Sequence, residues 1–249
     1  MKKSLYKLLI ASLVAQLTWT VAIEANDVVT DEELFGGDID TEESTVLDPL
    51  EPVNRVIFSV NDFVYLNVLD PFANAYSAVT PDPVEEGAVN FFRNLKYPIR
   101  LVGNLLQGKW DGAWVETGRF AINTTVGVAG IFTPADSVEG FAPIPAEDIG
   151  QALGAWGVGD GPYLVLPLLG PSNLRDLGGL IGDRAVHPLT EPWSVWTEWE
   201  WRFAYGATDF TANSPAIMDR YVKLKGTAID PYSSMRNAYS QNRRAAIQE

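Results

Sequence analysis

Hydrophobic and polar positions recur with a helical period along most of this chain. In "EPVNRVIFSVNDFV", Val53, Val56, Ile57, Val60, Phe63 and Val64 are spaced to form one apolar helix face. Asn54, Arg55, Asn61 and Asp62 fall on or beside the other face. Asp70-Pro71 is expected to end or turn this helix. "TPDPVEEGAVNFFRNL" predicts a second helix, with Thr80 as cap, acids in its first turn, and Val84, Ala88, Phe91, Phe92 and Leu95 on its apolar face. Pro98 breaks it. A short helix with Ile99, Leu101, Val102, Leu105 and Leu106 follows and stops at Gly108. Trp110, Ala113, Trp114, Phe120 and Ala121 suit a further helix.

Two stretches depart from this alternation. Across 120–132 only Asn123, Thr124 and Thr125 carry polar side chains, which predicts a helix apolar on all sides, buried in a core or in lipid. "GAWGVGDGPYLVLPLLGPSNLRD" (154–176) could be a phosphate loop, a catalytic turn or a strand pair. It is read as none of these. Its glycines suit tight turns and close helix contacts, and "YLVLPLL" faces lipid or the core. Further on, Trp193, Trp196, Trp199 and Phe203 form an aromatic stripe suited to core packing or to a membrane interface. In the final helix Asp230 caps, Pro231 occupies the first turn, and Arg236, Arg243 and Arg244 make a basic tail. The expected fold is mainly α, built of short amphipathic helices with Gly/Pro-rich connections.

Composition narrows the class. Hydrophobic residues make up 47% and charged residues 20% of 249. Past the N-terminus no run is long and apolar enough for an ordinary spanning helix. Lys2, Lys3 and Lys7 before a short apolar run read as a Sec-type signal peptide over residues 1–25, with cleavage near 22–25. An uncleaved anchor is the alternative. Between 23 and 52 there are eleven acidic residues and no basic one, so 26–47 reads as a solvated acidic leader. The domain proper is expected at 48–244, followed by a tail at 245–249. No basic stripe could neutralise phosphates along a nucleic acid, so nucleic acid is not an expected partner.

The search for chemistry yields little. There is no cysteine and one histidine, His187, so Cys-based and multi-His metal sites have no ligands. A Ser-His-Asp arrangement would need Ser172 with His187, but the GxSxG turn is missing. "GVGDG" lacks dinucleotide-loop spacing, and no Gly-Lys-Ser/Thr follows. Glu147-Asp148 reads as a solvated turn. No catalytic residue, metal or cofactor is expected.

Four ordered motifs change the picture: "DPLEPVNRVIFSVND", "NLLQG", "RFAINTTVGVAGIFTPAD" and "GQALGAWGVGDGPYLVLPLLGPSNLRD". Together they resemble the MlaA/VacJ family over nearly the whole mature chain. Their recurring residues include Asn54, Arg55, Arg119, Asn123, Gly154, Gly157, Gly161, Pro162, Gly170, Arg175 and Asp176. The resemblance implies a ring of amphipathic helices embedded in the inner leaflet of the outer membrane. It implies passage of stray phospholipids through a channel to a periplasmic carrier of the MlaC type, and association with a trimeric porin. It further implies a gating role at Asn61 and Asp62, and a channel-bounding loop carrying Phe132, Asp136 and Phe141. Trp193, Trp196 and Trp199 become candidates for the membrane interface. Family members are often lipidated at a cysteine, which this sequence lacks. The alternative function is a soluble periplasmic lipid or hydrophobe carrier.

Overall fold

The computed structural model describes residues 46–188 and 199–249. The signal-peptide and acidic-leader readings, and Trp193 and Trp196, lie outside the described residues. Of Trp199 only the backbone, at the start of a helix, is described.

Nine α-helices surround one β-hairpin among the described residues. Helix α1 spans Glu51–Val64. It does not end at Asp70-Pro71. It widens into a π-helical turn, Tyr65–Leu69, and continues as α2, Asp70–Val79. Pro71 is tolerated because it falls in the first turn after the π-helical widening, where the regular hydrogen-bond ladder is already interrupted. Helix α3 is Asp82–Leu95. Its N-cap is Pro81, not Thr80, which closes α2 instead. Helix α4, Tyr97–Gln107, carries Pro98 in its first turn and ends at Gly108 with φ +74°. Helix α5 is Trp110–Thr125. The expected all-apolar helix over 120–132 is therefore too long. The chain leaves it after Thr125 in a turn where Val128, Ala129 and Gly130 take φ of +54°, +60° and +92°.

A 3-10 turn, Pro134–Ser137, precedes α6, Ile149–Ala155. The segment read as turns alone contains a strand pair. β1, Tyr163–Leu166, pairs antiparallel with β2, Gly170–Asn173. Helices α7 (Leu174–Val186), α8 (Trp199–Thr227, containing Pro215) and α9 (Pro231–Gln248) complete the fold.

Contacts between elements close on themselves. From α1 they pass to β1 and β2, then to α9, α6, α4, α5, α3, α8 and α2, which rejoins α1. Apolar burial is split accordingly into small clusters: Phe92, Tyr205 and Ala212; Ala73, Met218 and Tyr221; Tyr163, Val165 and Tyr232. A globule would gather such residues into one contiguous core. No described helix is long and apolar enough to cross a membrane.

Candidate lipid-facing site

The polarity of α1 is inverted relative to a helix on a water-soluble globule. Asn54 and Asn61 are each 2% exposed, whereas Val53, Val56, Val60 and Phe63 lie between 55% and 65%. The asparagines are two helical turns apart, so they share a face. That face meets the outer edge of β1. Asn54 donates to the Tyr163 carbonyl (3.0 Å) and accepts from the Val165 N–H (3.0 Å). Asn61 donates to the Leu166 carbonyl (2.8 Å) and accepts from the Leu168 N–H (2.7 Å). Each side-chain amide thus stands in for a peptide unit of a missing third strand. This covers the β1 edge, one of the two that a two-stranded hairpin presents. Leu168 sits at φ +63°, a strained position held by Asn61 and by Tyr65, whose hydroxyl donates to the Leu168 carbonyl (2.9 Å). Gly170, at φ +87°, lets the chain turn back into β2 where a side chain would be strained.

Asp62, one residue on, points to a different element. It accepts from the Tyr221 hydroxyl (2.7 Å) and from Lys225 Nζ (2.5 Å), both on α8. Asn61 and Asp62 therefore tie α1 to the hairpin on one side and to α8 on the other. Arg55 leaves the helix towards α9. It pairs with Asp230 (2.8 Å) and Glu51 (2.8 Å) and lies 4.3 Å over the Tyr232 ring. Hydrogen bonds from Arg55 hold the Asp230 carboxyl well below its usual range.

The hairpin leads directly into a buried charge cluster. Asn173 caps α7, its side chain accepting from the Asp176 N–H (2.7 Å). Asp176 in turn accepts from Arg175, Asn173, Tyr239 and Arg243. Burial alone would raise its carboxyl, but Arg243, Tyr239 and Arg175 outweigh that and hold it below the usual range. Arg243 also reaches Asp148, the cap of α6, at 2.5 Å. Arg175 pairs with Asp160, and Arg244 lies 3.9 Å from the same carboxylate. The expected basic tail is thus largely a half-buried clamp, since Arg236 too pairs with Asp48. Glu147-Asp148 is no solvated turn either: Glu147 is buried, with Lys109 and Gln107 as partners.

Of the resemblance-derived loop residues, Asp136 and Phe141 come together. Arg119 donates to the Phe141 carbonyl (2.6 Å) and to Asp136 (2.7 Å), and the Phe141 ring covers Gly118. Asn123 accepts from the Ala135 N–H (3.0 Å). Phe132 is 63% exposed. Gly154 lies where a Cβ would strike Ile247 of α9, and Gly157 and Gly161 have positive φ. Pro162 accepts from the Leu174 N–H through its carbonyl. Sequence reasoning missed the polar seam between α4 and α5. There Arg100 pairs with Glu116, Tyr97 with Thr117, and Asn104 sits against Gly112. Such residues scatter singly on otherwise apolar faces, so only their alignment across two helices reveals them.

Ser172 and His187 are both fully buried. Ser172 donates to the Asn173 carbonyl, and His187 Nε2 meets the Tyr205 hydroxyl at 3.1 Å. Burial, reinforced by Lys96 and Arg184, lowers the His187 pKa to about 3, so it is neutral in the fold. Among the described residues no group of His, Cys, Asp and Glu could hold a metal ion.

The comparisons with known proteins agree with these motifs. The model of the MlaA lipoprotein family matches residues 46–246, every element of the contact circuit. The chain belongs to the MlaA lipoprotein family. The intermembrane phospholipid transport system lipoprotein MlaA of Escherichia coli (strain K12) is 32% identical over 200 residues, covering 78% of this chain and 76% of that protein. The protein of the same name from Haemophilus influenzae is 30% identical over 197 residues, covering 78% and 77%. A solved structure, from work on the structural basis for maintenance of bacterial outer membrane lipid asymmetry, superposes with a TM-score of 0.68 at 30% identity. It covers 80% of this chain and 98% of that one. The mainly helical architecture is thus that of MlaA, with the hairpin as its one sheet among the described residues. In this member no cysteine is present to carry a lipid thioether.

Proposed function

We propose that this MlaA-family protein acts in intermembrane phospholipid transport, as a passive conduit rather than an enzyme. It removes phospholipids that have strayed into the outer leaflet of the outer membrane and releases them towards a periplasmic carrier. A trimeric porin is its expected membrane partner. The reading is carried by one observation: α1 buries Asn54 and Asn61 while exposing Val53, Val56, Val60 and Phe63. In water that arrangement forfeits the hydrophobic effect, at roughly 25 cal/mol per Å² of apolar surface left exposed. In a lipid leaflet the same face is solvated by acyl chains, and the polar groups must satisfy one another inside, as they do here.

Export by a Sec signal and residence in the periplasmic leaflet belong to this proposal. So do the gate at Asn61 and Asp62 and the boundary at Phe132, Asp136 and Phe141. With no cysteine to lipidate, the apolar exterior itself supplies the membrane hold. The test is expression in a bacterium lacking its own MlaA-family protein. Rescue of detergent resistance and outer-leaflet asymmetry is expected, with the protein remaining in the membrane pellet after carbonate washing. Release by carbonate together with failure to rescue would sink the proposal. Deleting Asn61 and Asp62 turns everything after them by about 200°. It removes both the hairpin and the α8 contacts and should give a dominant permeability defect. Unchanged permeability would take the pair out of the mechanism.

A further inference from the structure

We infer that α5 stands across a single lipid leaflet, with the turn 126–132 as its membrane-inserted apex and Trp110 and Trp114 at the headgroup layer. This rests on the leaflet-embedded reading above and adds a direction, a depth and an occupant, namely the acyl-chain interior.

Three independent features of this one segment support it. The first is the order of exposed side chains. Trp110 and Trp114, four residues apart on one face, are 71% and 68% exposed at the start of α5. At its far end Val126, Val128 and Phe132 are 69%, 59% and 63% exposed, and all are aliphatic or phenyl. Indole rings favour the interface, where the ring is apolar and the N–H can be hydrated; valine and phenylalanine favour hydrocarbon. The second is charge. No Asp, Glu, Lys or Arg occurs over 120–135. Arg119 lies about 140° around the helix from Trp114 and is neutralised by Asp136.

The third is the backbone of the turn. All of its N–H groups but that of Val128, and four of its carbonyls, are bonded within the protein. Val126, Gly127, Ala129, Gly130, Ile131 and Phe132 donate to carbonyls of Ile122, Ile122, Thr124, Asn123, Val128 and Gly127 in turn. Asn94 and Asn90 reach the carbonyls of Ala129 and Ile131. Achieving this puts Val128 and Ala129 into the left-handed region, at about 1–2 kcal/mol per residue. A turn in water has no need of that strain, because water would take the free groups. A turn in hydrocarbon has no alternative.

The length fits. From Trp114 to Thr125 is about 17 Å of helix, and from Trp110 about 23 Å. Half of a bilayer is about 15 Å of hydrocarbon, or about 20–22 Å with headgroups. With the apex near the midplane, Trp114 falls among the headgroups and Trp110 at the water edge.

The chain has no native cysteine, so single cysteines can be placed at Val128, Phe132, Trp114, Glu139 and Val60 of the full-length protein. Each is labelled with an environment-sensitive fluorophore. The protein is then reconstituted into phosphatidylethanolamine/phosphatidylglycerol vesicles carrying nitroxide lipids, spin-labelled either at the chain end or at the headgroup. Labels at Val128 and Phe132 should show a chain-end to headgroup quenching ratio above unity and no quenching by aqueous iodide. The label at Trp114 should show a ratio below unity, and that at Glu139 should be open to iodide. If Val60 is quenched by lipid while Val128 and Phe132 are open to iodide, the apex is wrong and the leaflet reading stands. If Val60 is open to iodide as well, the leaflet reading itself fails. Protection of Val128 and Phe132 from both quenchers would mean a protein surface, including a second copy, and would overturn the inference.

Discussion

Replacing Asn61 with alanine isolates the feature on which the hairpin depends. The side chain is buried and makes two hydrogen bonds, to the Leu166 carbonyl at 2.8 Å and from the Leu168 N–H at 2.7 Å. Truncation leaves both backbone groups unpaired away from water. A buried orphan costs about 1–3 kcal/mol, so the pair should cost about 2–6 kcal/mol. Ser59→Ala is the internal control, since Ser59 is exposed and its hydroxyl only returns to the Arg55 carbonyl. It should stay within about 0.5 kcal/mol of wild type. Asn61→Asp separates donor from acceptor. Ionised, the introduced carboxyl keeps the Leu168 bond but opposes the Leu166 carbonyl. Protonated, it regains a donor. Its folded-state pKa is therefore raised, and the variant should be most stable in acid and weaken as pH rises through that value. Urea unfolding in micelles, followed by tryptophan fluorescence, reads all three. An Asn61→Ala loss no larger than that of Ser59→Ala would refute the edge-pairing argument.

Other expectations follow from the same geometry. Gly179→Ala places a Cβ about where the structure gives 2.4 Å to the Gly150 Cα, backbone that cannot move aside, so the α6–α7 contact should weaken by about 1–3 kcal/mol in the same unfolding assay. Arg243→Met takes the cation from half-buried Asp148 and one of two arginines from buried Asp176, which keeps Arg175, Asn173 and Tyr239, and should cost about 3 kcal/mol, whereas adding Asp176→Asn should recover part of that in a double-mutant cycle. His187 titrates at about 3 in the fold against an ordinary 6.5, so the unfolded chain takes up a proton that the folded one refuses. Stability should therefore fall as pH drops between those values, and His187→Gln should flatten that part of the pH profile. Asp176, held below its usual range, contributes above that range and loses its contribution only at more acid pH.

The sequence by itself determined the helical periods, the stops at Gly108 and before Pro98, the first turn at Pro231, and the ordered motifs that mark the family. These are local or linear properties, and backbone sterics or direct comparison can read them. It also identified Arg119, Asp136 and Phe141 through the resemblance, though not that they touch. Only the tertiary structure decided which face of α1 is inside. A 3.6-residue period separates an apolar face from a polar one but carries no sign, because the solvent of each face lies outside the helix. It also decided that 163–173 is a hairpin. Four-residue strands are too short to announce themselves, and their free edge is completed by Asn54 and Asn61, more than one hundred residues earlier in the chain. Separation along the chain also hid the clamp of Arg243 on Asp148 and Asp176, 95 and 67 residues earlier, since a charge near a chain end reads as solvated until the fold brings its partners to it.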